Sequence, residues 1–222
     1  MQCPYCKEEI QDGATICKHC KSNIGATSLP SVSVGAGDFG ELVGTAVNLW
    51  KANLADLAVL TLVFILVLWI PIANVGFIAG YVRSVLKVAR GQGKAAVGDL
   101  FSAWDCFGSL LGYVVLVLVA SVFMNFVPIL GFLAAVALGF AAMPGFYAII
   151  DGKMGTIDAF KWSLESIQAN FVNWLLTYIV GYVITIAGIV VLFIGIVLTA
   201  PLAMLIYVLQ YDRVKPVERG LP

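Results

Sequence analysis

Long apolar runs alternate with short charged clusters along most of the chain. From Leu54 onward, six apolar stretches cover about 54–71, 75–92, 108–127, 132–150, 171–187 and 190–210. A helix needs roughly 20 residues to cross about 30 Å of hydrocarbon, so each stretch reads as a membrane span. Ahead of them, Asp38 and Glu41 have the spacing of a capping box opening a helix. Phe39, Leu42, Val43, Ala46 and Trp50 then recur on one face at helical spacing. That stripe predicts an amphipathic helix lying on the membrane surface.

The order of features repeats three times. The first unit reads "NLWKANLADLAVL…WIPIANVGF…RGQGK", the second "LFSAWDCFGSLLGYVVL…NFVPILGF…IIDGK" and the third "ESIQANFVNWLLTYIV…ITIAGIVVLF…QYDRVK". Each opens with a surface helix and enters the membrane near Asn53, Gly108 or Asn170. Each turns near Pro71, Pro128 or Gly188 and returns to end in charges. The expected fold is therefore an all-α polytopic membrane protein of three helical hairpins led by interfacial helices. The membrane domain covers 38–212 and is followed by a cytosolic tail, 213–222.

Composition agrees. The 222 residues are 61% hydrophobic and 12% charged, with a mean hydropathy of +0.97. A soluble domain carries about a quarter charged residues. Net charge is zero, so no overall field draws in nucleic acid. All thirteen Lys and Arg fall in the first 25 residues, the leading helices or the returning ends, whereas the turns "PIANVG", "VPILG" and "IAG" carry no charge. That asymmetry predicts both termini in the cytosol. The first residues do not resemble a signal peptide.

The remaining chemistry is at the front. "CPYCKEEIQDGATICKHC" holds two C-x-x-C pairs, Cys3 with Cys6 and Cys17 with Cys20, ten residues apart. Each pair can place two thiolates on one metal from a tight turn, and four sulfurs suit tetrahedral Zn2+ in a closed, structural site. Iron, or a disulfide or redox use of the pairs, are the alternatives. A module this short has no core of its own, so one bound zinc would supply most of its folding free energy. Asp12-Gly13 offers the hairpin turn. His19 is superfluous to a filled shell and reads as a surface residue. Cys106, beside Trp104 and Phe107, reads as packing. "ATSLPSVSVGAG", residues 26–37, reads as a flexible linker behind this 1–25 module.

Residues 1 to about 25 resemble the short zinc-ribbon module, a small β-hairpin fold, found at the front of many bacterial and archaeal proteins. Lys7 and Lys21 stand where that pattern often has glycine. The resemblance implies a small protein-facing or regulatory module. Most of 38–212 resembles a broad group of prokaryotic membrane proteins that includes the membrane domain of some glycerophosphodiester phosphodiesterases. "DAFKWSLESIQANFVNWLL" carries that likeness. Their catalytic barrel has no counterpart here, so their chemistry does not transfer. Together the two resemblances imply a multi-pass protein of the prokaryotic inner membrane.

Single residues add little beyond this. Counting at about 1.5 Å per residue from the Pro71 turn places Arg83 about 18 Å and Asp56 about 22 Å along antiparallel neighbours, a candidate intramembrane ion pair. The competing reading has Arg83 snorkelling, with Lys87 and Arg90 as a basic flank. Pro144 and Pro201 are expected to kink returning helices. Gly76-x3-Gly80, Gly108-x3-Gly112 and the Gly131/Ala135/Gly139 ladder are expected to allow close helix contact. Trp50, Trp69 and Trp104 suit the interface. One histidine and the absence of phosphate-loop, dinucleotide, H-E-x-x-H and nucleophile-elbow motifs point away from catalysis.

The expected function is that of a non-enzymatic membrane protein whose zinc ribbon docks a cytosolic or membrane protein partner, with a homo-oligomer allowed. The alternative is a transporter, channel or lipid-handling protein regulated through the ribbon. Metal analysis of the purified chain is expected to find one zinc per chain, and Cys3→Ser is expected to abolish it.

Overall fold

The structure, a computed structural model, describes residues 38–124, 130–190 and 194–215. The chain divides into Met1–Gly35 and Ala36–Pro222. The expected zinc ribbon, with Cys3, Cys6, Cys17, Cys20 and His19, lies outside the described residues. So do the linker and most of the expected tail.

Every described regular element is helical. α1 (Phe39–Ala52) leads into α2 (Leu54–Val67) and α3 (Ala73–Ala89). Two short 3-10 turns, Val97–Phe101 and Trp104–Cys106, lead into α4 (Phe107–Met124) and α5 (Leu130–Gly152). α6 (Thr156–Ala169) leads into α7 (Phe171–Val190) and α8 (Ile194–Val214). Asp38 caps α1 by accepting from the Gly40 amide at 3.4 Å.

Four of the helices, α4, α5, α7 and α8, are long and apolar enough to cross a membrane; the bent pair α1–α2 would make a fifth if counted as one span. Their outward faces are apolar and exposed, with Phe123 at 69% and Val172 at 65%. At 1.5 Å per residue, α2 and α3 reach only about 21 and 26 Å. Of the six expected spans, four are thus long and apolar enough to cross, and α2 and α3 taken singly are not.

Two of the expected entry points are the same local device. The Asn53 amide donates to the Leu49 and Trp50 carbonyls, and the Asn170 amide to those of Ser166 and Ile167. Each asparagine carbonyl then accepts the first bond of the next helix, from Leu57 and from Trp174. At Asn53 the chain bends by 86°. In the second unit the lead-in is the pair of 3-10 turns instead of a helix.

The lead-ins do not lie free on a membrane surface. Each packs on the returning helix of the unit before it: the 3-10 turns on α3 and α6 on α5. α1 closes the series by packing on α8, the return of the last unit. The apolar stripe of α1 is thereby covered by protein: Leu42 and Ala46 are buried, and the Trp50 indole donates to the Leu198 carbonyl at 2.9 Å. The stripe faces another helix instead of a lipid surface.

Close approach has a sequence cause at α3. A Cβ on Gly80 would come within 2.5–2.6 Å of the Leu100 and Asp99 backbone, and one on Gly76 within 3.0 Å of the Trp104 ring. The Gly76-x3-Gly80 pair therefore seats the 3-10 turns. Gly108 and Gly139 have no neighbour within 4 Å of a built Cβ, so the other two small-residue patterns are not continuous contact seams.

In α5, Pro144 has no amide to donate. Ser163 of α6 enters this stretch, donating to the Ala141 carbonyl at 2.6 Å and accepting from the Gly145 amide at 3.0 Å. Tyr113 of α4 donates to the Ala142 carbonyl at 2.7 Å. The proline thus marks where α4 and α6 grip α5. Pro201 lies inside α8 and is buried.

Because the contact at Gly80 is with backbone that cannot move aside, Gly80→Ala is expected to destabilise the protein by about 1–3 kcal/mol. Gly108→Ala, in open space, is expected to be near neutral. Thermal unfolding in detergent compares the two.

Candidate functional site

α3 is buried along most of its length and touches α1, α2, α4, α5, α8 and both 3-10 turns. Burying a helix with three cations requires three sets of acceptors, because an unpaired charge out of water is expensive. Arg83 meets Asp105 at 2.5 and 3.1 Å and donates to the Ile150 carbonyl at 3.0 and 3.1 Å. Lys87 meets Asp99 at 2.5 Å, and Asp99 also accepts from the Ser84 hydroxyl at 2.7 Å. Arg90 holds two carboxylates at once: Asp151 through a fork of two 2.7 Å bonds, and Asp212 at 2.6 and 3.0 Å.

This corrects two expectations. Asp56 does not meet Arg83. It lies 3.8 Å from Lys94. Nor are Arg83, Lys87 and Arg90 a snorkelling flank, since their side chains are only 21–30% exposed and each is ion-paired. The error was to pair α3 with its own hairpin partner, whereas the 3-10 turns that follow it in sequence supply Asp99 and Asp105.

The Arg90 junction lies where the three returning helices end. Asp151 is 61 residues after Arg90 and Asp212 is 122 residues after it, two equal steps. The same position of each unit therefore carries one arginine and two aspartates, and the three meet. Burial disfavours the Arg90 charge, but the hydrogen bonds to Asp151 and Asp212 outweigh it and hold the guanidinium above its ordinary range. Lys215 reaches Asp212 at 3.0 Å and leaves the cluster neutral: two cations, two carboxylates.

Charge is not balanced everywhere. Asp105 is shared between Arg83 and Lys153, the latter at 3.2 Å, so one positive charge is in excess there. Beside it lies a polar cavity of about 340 Å3 lined by four cations, Arg83, Lys87, Arg90 and Lys153, two carboxylates, Asp99 and Asp151, and Gln92 and Ser102. Lys153 holds a left-handed backbone, φ 51°, which non-glycine residues rarely adopt. A second cavity, about 480 Å3, lies between α4 and α5 and is nearly all apolar, with Tyr113, Val117, Met143 and Phe146 in its wall.

The other singled-out residues are structural. Cys106 is buried, its thiol 3.4 Å from the Ala103 carbonyl. Trp104 stacks on Gly76, and Trp69 is 85% exposed. Among the described residues no group of three or more His, Cys, Asp or Glu converges as a metal site. Asp99, Asp105, Asp151, Asp212 and Lys153 were not singled out from the sequence; the 61-residue spacing from Arg90 is a signal that could have found two of them, Asp151 and Asp212. Comparison of the chain with family models, curated proteins and solved structures gives no match.

Arg90→Ala would leave two half-buried carboxylates facing each other. We expect a loss of about 2 kcal/mol, below the 3–5 of a fully buried pair. Arg90→Lys is expected to lose most of that, because an ammonium cannot make two forks. Asp151→Asn and Asp212→Asn are expected to be non-additive in a double-mutant cycle of unfolding free energies.

Proposed function

We propose that this chain is a non-enzymatic integral membrane protein of the prokaryotic inner membrane. Its three hairpins form a rigid platform, and a structural zinc ribbon on the cytosolic side docks a protein partner. One observation carries the platform reading: the Arg90–Asp151–Asp212 junction ties the three returning helices together at the end where the charges gather. Positive-inside asymmetry puts that end in the cytosol. The four cysteines require a reducing compartment to stay as thiolates, which points to the same side. Lys7, Lys18 and Lys21 would offset the charge of a zinc tetrathiolate.

In this reading α2 and α3 supply the fifth and sixth crossings. Their shortness against the hydrocarbon thickness is accommodated by local thinning of the bilayer. Arg83 and Lys87 then sit near the cytosolic border, satisfied by Asp105 and Asp99 instead of by water.

A second reading, lipid handling, is favoured by a separate observation. The polar and apolar cavities lie in series along α5, and the apolar one is on helices that lipid would surround.

Cross-linking in membranes, compared between the intact chain and one lacking residues 1–25, tests the docking role. A partner captured only by the intact chain, and lost with Cys3→Ser, is the expected result. Equal capture by both chains overturns it. External labelling of Cys3 would overturn the topology.

A further inference from the structure

We propose that the two cavities on α5 form one site for an anionic phospholipid, with its phosphate at Lys153 and an acyl chain in the crevice between α4 and α5. The inference rests on the lipid-handling reading and names its ligand.

Geometry comes first. The apolar cavity is walled on α5 by Gly139, Ala142, Met143, Phe146 and Tyr147, and the polar one by Ile150 and Asp151 near the end of α5 and by Lys153 just past it. Steps of three and four residues keep Gly139 to Ile150 on one face of the helix. From Gly139 to Ile150 the track runs about 16 Å at 1.5 Å per residue. Both volumes fall in the range of about 300–1,000 Å3 of ligand sites. An amphiphile laid along this face meets hydrocarbon walls first and then cations.

The crevice has a reason to be open. A Cβ on Gly139 would touch nothing within 4 Å, and the residue is exposed. Leu118 and Val136 beside it are exposed too, on helices long and apolar enough to cross a membrane. What lies against such a surface in a bilayer is a lipid tail.

The sign of the headgroup follows from the ion pairs. Lys87 is neutralised by Asp99, and Arg90 with Lys215 by Asp151 and Asp212. Arg83 and Lys153 share Asp105, and the five N–H groups of Arg83 are all taken by Asp105 and by the Ser102 and Ile150 carbonyls, so the positive charge left to meet an anion at this mouth is that of Lys153. Lys153 is 72% exposed, so it can turn from Asp105 to a phosphate at little cost. Its left-handed backbone is a position that glycine would fill with less strain, yet a cation stands there. Gln92 and Ser102 add polar groups for the glycerol portion.

The test uses the purified full-length chain, native mass spectrometry and three probes: dioleoyl phosphatidylglycerol, dioleoyl phosphatidylcholine and glycerol phosphate. The wild type is expected to retain the anionic lipid about tenfold better than the zwitterionic one and to bind glycerol phosphate negligibly. Lys153→Gly removes the charge while relieving the backbone. It is expected to keep or raise the melting temperature and to cut the anionic preference about fivefold, the weight of one basic residue near a lipid surface. Gly139→Leu puts a side chain into the crevice from a position where its Cβ meets nothing within 4 Å, and is expected to release both lipids at unchanged melting temperature. Equal retention of the two lipids by the wild type overturns the site. So does unchanged retention in Gly139→Leu, or glycerol phosphate binding as tightly as the lipid. Selective retention without transfer of lipid between vesicles overturns the handling reading alone and leaves the site standing.

Discussion

The guanidinium of Arg90 gripping two carboxylates from two other helices is the interaction on which the rest of the structure depends. Helices packed within hydrocarbon gain little from burying apolar surface, since lipid tails are as apolar as leucine. Specific registration must come from contacts that lipid cannot imitate. A planar fork that matches two carboxylates fixes angle and depth together. It does so at the ends of α3, α5 and α8, where a slip of one turn would separate every pair.

The remaining architecture elaborates this constraint. α3 accepts three cations because the lead-in of the second unit brings Asp99 and Asp105 down its side. That lead-in can lie so close only because Gly76 and Gly80 have no side chains. In the third unit the lead-in is a full helix, and the close approach occurs at Gly145, whose added Cβ would meet the Ala159 carbonyl at 2.6 Å. Gly80 and Gly145 thus perform one job on two return helices.

Much of this was legible in the sequence. The helical character, the entry asparagines and the outward apolar faces follow from hydropathy and spacing alone. The stripe of Phe39, Leu42, Val43, Ala46 and Trp50 identified α1, but amphipathicity cannot tell a lipid surface from a helix surface, because both reward the same residues. The ion partners were missed for a related reason. Distance along a hairpin ranks neighbours within one unit, whereas every partner of Arg83, Lys87 and Arg90 comes from the following units. Reading the units against each other position by position, instead of reading each for its own features, would have aligned Arg90, Asp151 and Asp212. The cavities had no signal of their own: Gly139 looked like a packing glycine, and only the fold reveals that it faces a gap.

The seating of α1 on α8 has a consequence for biogenesis. The Trp50–Leu198 bond joins positions 148 residues apart, so α1 leaves the ribosome long before the helix it seats on. At 5–20 residues per second that delay is roughly 7–30 s. Through that interval α1 waits without the helix that covers its greasy flank. Insertion machinery or a neighbouring nascent copy could engage it then, and truncation anywhere before the final helix would strand it permanently.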